Sequence, residues 1–264
     1  MSLIQYASKG DGRPPIVFVH GFGCARGDWD AQVAHLSDGH RTVTVDLRAH
    51  GTSPGTAQDC SIERHGADVA EVMRELQLAR AVLVGHSMGC RVAIEAALQV
   101  PAHAGALVLV DGSQFAPAMQ AAMAERFAAP EGYRTVVDGF FRDMFTERSD
   151  RSVAAAAIER AGRLPPDIGA RLLLDLVRYD IARLEASLTA VRVPVMVLQT
   201  TYSNEQRQRR TMVKGQTTPY LDMVRAKVPT ARIEIIPGVG HFPQLDAAAE
   251  TNRLLADFAA QVGG

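Results

Sequence analysis

The sequence is poor in the features that usually declare a protein's class. Among 264 residues there are three cysteines, Cys24, Cys60 and Cys90. An odd count without paired spacing argues against both a disulfide framework and a cysteine-built metal site. Charge of either sign is not in excess: 28 Lys+Arg stand against 29 Asp+Glu, for a net charge of −1. A chain so balanced carries no strong field toward nucleic acid or an anionic membrane. No uninterrupted apolar run reaches the roughly 18 residues of a membrane span. The N-terminus, Met1-Ser2-Leu3-Ile4-Gln5-Tyr6, lacks the basic start and apolar stretch of a secretory signal. The expectation is a soluble, cytoplasmic protein whose partner is a small-molecule substrate, not nucleic acid or membrane. No metal or cofactor is implied, and a homodimer stays open.

What is present is an ordinary globular composition, 47% hydrophobic and 22% charged. Short apolar runs recur: Ile16-Val17-Phe18-Val19, Thr42-Val43-Thr44-Val45, Ala81-Val82-Leu83-Val84, Ala106-Leu107-Val108-Leu109-Val110, Val195-Met196-Val197-Leu198 and Ile233-Glu234-Ile235-Ile236. Runs without alternation suit central parallel strands, buried on both faces. Helical patterns over 61–76 and 88–100 alternate with them, which predicts a doubly wound, mostly parallel α/β sheet. Ser61 is a good N-cap for the first of these helices. From Gly112 to Val191 the rhythm breaks. That stretch holds helical patterns over 117–128, 152–163 and 168–178 and no convincing strand. The expected organisation is a core made of 1–111 and 192–264, with 112–191 inserted as a helical cap. A final amphipathic helix is expected over 247–262.

The strand at Ala81 runs into Gly85-His86-Ser87-Met88-Gly89, and a helical pattern follows at once. Strand, tight turn and helix in that order form the context of a nucleophile elbow. Small residues two before and two after the serine allow the strained turn and the close approach of strand and helix. Alone, G-x-S-x-G is weak, and a capping serine in an ordinary turn is the plain alternative. With its context it points to Ser87 as a nucleophile, at a helix N-terminus whose free amides suit an anion. The Met88 N–H, directly after it, is then one oxyanion donor. His241, in Gly240-His241-Phe242-Pro243 after the last strand, is the candidate base.

Three further segments accompany the elbow in order: Val19-His20-Gly21-Phe22-Gly23, Asp46-Leu47-Arg48-Ala49-His50-Gly51-Thr52-Ser53 and Pro237-Gly238-Val239-Gly240-His241-Phe242. Together they resemble the α/β-hydrolase fold family. The resemblance implies a second oxyanion donor at the Phe22 N–H, and His20, Arg48 and His50 read as loop braces. A rival dinucleotide fingerprint fails, because Arg26 stands where Gly21-Phe22-Gly23 would need its third glycine.

The sequence departs from the family's pattern at the acid. The family usually places an Asp just beyond the penultimate strand. Here that strand is followed by Gln199-Thr200-Thr201-Tyr202-Ser203-Asn204-Glu205. Two carboxylates remain open. Glu205 starts a charged run to Arg210 that reads as a solvated face. Asp111 ends the strand after the elbow's helix, from which haloalkane dehalogenases and cofactor-free quinolone 2,4-dioxygenases take their acid. Asp111 is preferred, as it needs no long reach and is not surrounded in sequence by arginines that would compete for it.

Ser87 excludes routes that need a carboxylate nucleophile. The expected activity is therefore hydrolysis of a carboxylic ester or lactone through an acyl-enzyme. The alternative is a cofactor-free dioxygenase of a hydroxyquinolone-like heteroaromatic, with Asp111 and His241 as the base pair. Phe115, Phe140, Phe141, Trp29 and Phe242 are the expected substrate contacts, among apolar, Met-containing cap residues that suit a moderately hydrophobic substrate.

Overall fold

The structure, a computed structural model, describes residues 3–206 and 208–263. Nine strands are present among them: β1 (Tyr6–Lys9), β2 (Ile16–Val19), β3 (Thr42–Val45), β4 (Ala81–His86), β5 (Ala104–Val110), β6 (Val195–Gln199), β7 (Thr201–Ser203), β8 (Arg209–Thr211) and β9 (Arg232–Ile235). Eleven α-helices accompany them: α1 (Asp30–Leu36), α2 (Ile62–Glu75), α3 (Met88–Gln99), α4 (Ala118–Arg126), α5 (Pro130–Arg142), α6 (Arg151–Gly162), α7 (Pro166–Ala182), α8 (Leu184–Ala190), α9 (Pro219–Lys227), α10 (Pro243–Asp246) and α11 (Ala248–Gly263).

Seven strands form one sheet in the order β1-β3-β2-β4-β5-β6-β9. All neighbours are parallel except β1, which runs antiparallel to β3. The doubly wound α/β architecture expected from the apolar runs is what the chain adopts. Successive side chains of a strand point to opposite faces, so each run divides between two layers. Val17, Val19, Leu83, Leu107, Leu109, Val195 and Val197 join the larger core with residues of α2 and α3. Ile16, Phe18, Val82, Val84, Val108, Val110, Met196 and Leu198 form the opposite layer with Leu254, Leu255 and Phe258 of α11. Ser61 caps α2 as its residue type predicts, accepting the Arg64 N–H at 3.1 Å.

The first strand and the small β7–β8 hairpin lack the apolar runs that mark the central strands. Tyr6–Lys9 is a four-residue, largely exposed edge, and the hairpin strands are three polar residues each. Between β5 and β6 the described residues form only helices, α4 to α8. α4, α5 and α7 pack on one another and α6 packs on α5, whereas α8 packs against α3 and α9. None of the described helices is long and apolar enough to cross a membrane.

Trp29 needs correction here. Expected near the substrate, it is fully buried in the α11-side layer, with its ring 4.9 Å from that of Phe18. A short 3₁₀ turn, Arg26–Trp29, carries the side chain under the sheet before α1 begins. Trp29→Ala is expected to lower unfolding free energy by about 3–5 kcal/mol, as for a large core aromatic. A denaturant midpoint close to that of the unaltered protein would return Trp29 to the surface of a binding site.

Candidate active site

Ser87 joins β4 to α3 in a conformation that only a strained turn requires, φ 55° and ψ −115°. Left-handed φ is costly for a residue with a Cβ, so the surroundings must hold it. The Ser87 N–H donates to Val110 O at 2.9 Å. The glycines explain why the turn is affordable. A Cβ on Gly85 would lie 2.2 Å from the Gly89 carbonyl oxygen, and one on Gly89 would lie 2.4 Å from that of Val19. A Cβ on Gly21 would lie 3.2 Å from the Ser87 Cβ, so the loop after β2 also crowds the elbow. Met88 is the first residue of α3, and its N–H has no acceptor within the helix.

The loop carrying Phe22 is braced as expected. His20 Nδ1 lies 2.8 Å from Gly21 O, and its Nε2 accepts the Leu47 N–H at 3.0 Å. His50 Nε2 accepts the Gly23 N–H at 3.1 Å. Arg48 forms two bonds to Asp68, at 2.9 and 2.7 Å.

Asp111 follows β5, with φ 44° and only 1% exposure. Its Oδ2 lies 2.6 Å from His241 Nδ1. Its Oδ1 accepts the N–H groups of Thr200 and Thr201 at 2.8 and 2.7 Å, and the Thr201 hydroxyl donates to Oδ2. The place after β6 where the family pattern has its acid thus supplies three donors to an acid on the neighbouring strand. Burial pushes the Asp111 carboxyl up, but the bond to and charge of His241, the nearby Arg209 cation and the Thr201 hydroxyl hold it below its usual value. Glu205 lies exposed in the turn between β7 and β8, away from this bond.

His241 is fixed on several sides. Its N–H donates to Met144 O at 2.8 Å, and its carbonyl accepts from His86 Nε2 at 2.8 Å. Thr200 Oγ1 donates to Gly240 O at 2.7 Å. With Nδ1 given to Asp111, the Nε2 atom is buried and without a hydrogen-bond partner among the described residues. Burial and the Arg209 cation lower the imidazole to about 4 despite Asp111, so the ring is neutral near pH 7.

Three features of this site were missed in the sequence. His86, between Gly85 and Ser87 of the elbow, braces His241, with the two rings 4.7 Å apart. Thr200 and Thr201 hold the carboxylate. Arg209, read as part of a solvated run, points inward with a side chain only 13% exposed. Its Nη1 lies 3.1 Å from His241 Nδ1 and 3.7 Å from Asp111 Oδ2. The expectation that no arginine stands near Asp111 is therefore wrong. The one signal available was the vacancy at the usual acid position, which marks that segment as part of the site. Arg207 of the same run lies outside the described residues.

The expected aromatic contacts divide. Phe115 and Phe140 line a cavity of about 590 Å³ with Met119, Met123 and Val136, and with Arg126 and Gln208 among its polar residues. Ser87 and His241 are not among its lining residues. A second cavity, of about 270 Å³, shares Asp143 with it and reaches Thr201, Arg209 and Gly240 beside the histidine. Phe141 and Phe242 are corrected: both are core residues, 1% and 0% exposed. Phe242 stacks on Phe145 at 4.9 Å and lies 5.0 Å from the His86 ring, so it backs the histidines from within the core. No group of three or more His, Cys, Asp or Glu side chains able to hold a metal comes together among the described residues.

A family profile described as "Alpha/beta hydrolase family" matches residues 16–254. The chain belongs to that family. It is 30% identical over 279 aligned residues to a pimeloyl-(acyl-carrier protein) methyl ester esterase of Methylococcus capsulatus, covering 98% of each chain. It is 32% identical over 143 residues to the dihydrolipoyllysine-residue acetyltransferase component of an acetoin cleaving system from Cupriavidus necator, covering 53% of this chain. The match spans only 38% of that relative's length, and 64% for a counterpart from Pseudomonas putida. The enol-lactonase from Burkholderia xenovorans LB400 superposes with a TM-score of 0.79 at 22% identity, over 97% of this chain and 96% of that one, a likeness of fold.

Five buried histidines are held below the ordinary imidazole value by burial first of all: His65 and His86 are lowered to about 3 and His241 to about 4, and His20 and His50 are lowered as well. Between about pH 6.5 and 5 the unfolded chain binds protons at these sites and the folded chain does not, so stability rises with pH. The melting temperature is expected to drop as pH is lowered through that window, before carboxylates titrate. A melting temperature unchanged from pH 7 to 5 would contradict the assignment of buried neutral rings.

Proposed function

We propose that the protein is a serine hydrolase that cleaves a carboxylic ester or lactone of a moderately hydrophobic small molecule. The observation that carries this reading is the bond from His241 Nδ1 to a buried Asp111, which leaves the buried Nε2 with a lone pair and no hydrogen-bond partner among the described residues. In this reading Nε2 takes the proton of Ser87 Oγ as that oxygen attacks the substrate carbonyl. The Phe22 and Met88 N–H groups receive the negative oxygen of the tetrahedral intermediate. The intermediate collapses, the C–O bond to the alcohol breaks, and His241 returns the proton to the departing oxygen. Water, deprotonated by the same nitrogen, then releases the acid and restores Ser87. For a lactone, the departing oxygen stays tethered to the acyl group. The likeness along nearly the full chain to a methyl ester esterase supports an ester as substrate class. The apolar cavity lined by Phe115 and Phe140 supports an apolar acyl or alcohol portion.

Two measurements test this. An organophosphonate is expected to label the protein at Ser87 and to leave Ser87→Ala unlabelled. Asp111→Asn is expected to lower kcat on a p-nitrophenyl ester by about four orders of magnitude, with the fold kept, because the ring is then held in the wrong tautomer. Glu205→Gln should hydrolyse at the normal rate. Absence of labelling, with oxygen uptake on a hydroxyquinolone, would replace the hydrolase by a cofactor-free dioxygenase.

A further inference from the structure

We propose that Arg209 is a positioning residue for the Asp111–His241 pair, delivered by the β7–β8 hairpin and tied to cap helix α5. The inference rests on the hydrolase reading for its consequence in catalysis, but its geometry stands by itself.

The hydrogen-bond inventory fixes what Arg209 does. His241 Nδ1 has one proton, and Asp111 Oδ2 at 2.6 Å takes it. A guanidinium has donors only. The approach of Arg209 Nη1 to Nδ1, at 3.1 Å, is therefore a cation held against the ring edge and not a hydrogen bond. The true bond from Nη1 goes to Thr201 Oγ1 at 2.8 Å, and that hydroxyl passes its own proton to Asp111. Arg209, Thr201 and Asp111 form a directed chain that ends on the base. It locks the carboxylate's rotation and, through the 2.6 Å bond to Nδ1, the ring's.

The cap holds the other end. The Arg209 N–H donates to Asp143 Oδ2 at 2.8 Å, at the C-terminus of α5. The guanidinium carbon lies 5.7 Å from the centre of the Phe140 ring, also on α5. Phe140 and Asp143 both line the larger cap cavity. A ligand in that cavity would touch the residues that seat Arg209, so cap occupancy and the histidine's setting are mechanically joined.

The charges facing His241 come from four elements. Asp111, after β5, favours a second proton on the ring. Arg209 on β8 and Arg91 on α3 oppose it. His86, at the end of β4, stays neutral and donates to the His241 carbonyl. Burial lowers the Arg209 guanidinium below its ordinary value, opposed first by Asp111 and then by Asp143. Arg209 is the nearest opposing charge, and its removal should let the ring take a proton more easily.

The test is a ring-nitrogen NMR titration of His241 in the full chain, assigned by the signal lost in His241→Gln, alongside the pH profile of kcat/KM on a p-nitrophenyl ester. In the unaltered protein the midpoint is expected near about 4. Arg209→Gln should raise it, and the acid limb of kcat/KM, by about one unit or more. Arg209→Lys should keep both near the unaltered value. Asp143→Ala, a change at an exposed residue, should move both the same way as Arg209→Gln, by less. A merely structural role would lower kcat at every pH and leave the limb in place. An unmoved midpoint in either Arg209→Gln or Asp143→Ala, whichever is folded, overturns the proposal. The titration needs no turnover, so it separates failure of this inference from failure of the hydrolase reading, which phosphonate labelling of Ser87 decides.

Discussion

A carboxylate with 1% exposure has to be satisfied on every side, and the arrangement around Asp111 follows from that need. An unpaired buried charge would cost several kcal/mol, enough to protonate the group or unfold its surroundings. Two backbone N–H groups, a hydroxyl, an imidazole N–H and a guanidinium within 3.7 Å meet the cost together. These donors come from the β6–β7 junction, β8 and the loop after β9, so the carboxylate sets the relation between three separate segments. Its own φ of 44° shows that the backbone is bent to serve the side chain.

The sheet makes this convergence possible. β4, β5, β6 and β9 are consecutive neighbours and parallel, so their carboxyl ends all open on one edge. Ser87, Asp111, Thr200 and, a few residues past the last strand, His241 follow those four ends in turn. Each side chain needs little reach, because adjacent strands lie about 5 Å apart. The end of α5 and the residue after it also reach the assembly. Met144 receives the His241 N–H, and Asp143 receives that of Arg209.

The central strands were legible because burial on both faces demands unbroken apolar runs, and few other elements of four to seven residues look like that. The elbow was legible because its glycines are forced: backbone oxygens lie within 2.4 Å of where a Cβ would be. Tyr6–Lys9 was not, since an exposed edge strand has no composition of its own. The inward turn of Arg209 was not legible either. In sequence it is one of several charges in a polar run, and only the three-dimensional neighbour Asp111, 98 positions earlier (209 − 111), gives it a reason to be buried. Trp29, Phe141 and Phe242 were misplaced by the same limit. Neither nearness in sequence to a site loop, as for Trp29 and Phe242, nor a place in the 112–191 stretch, as for Phe141, says which way a ring will face, and a large apolar ring is drawn to the core by about 2 kcal/mol or more.

In the proposed hydrolase Ser87, His241 and Asp111 act as one unit, with the oxyanion received by Phe22 and Met88. A crystal structure of the protein after reaction with an organophosphonate is the sharpest check. The expected result is phosphorus bonded to Ser87 Oγ, the phosphoryl oxygen about 2.7–3.1 Å from both the Phe22 and Met88 nitrogens, and His241 Nδ1 still on Asp111. Phosphorus on another residue, or a His241 turned to Glu205, would contradict it.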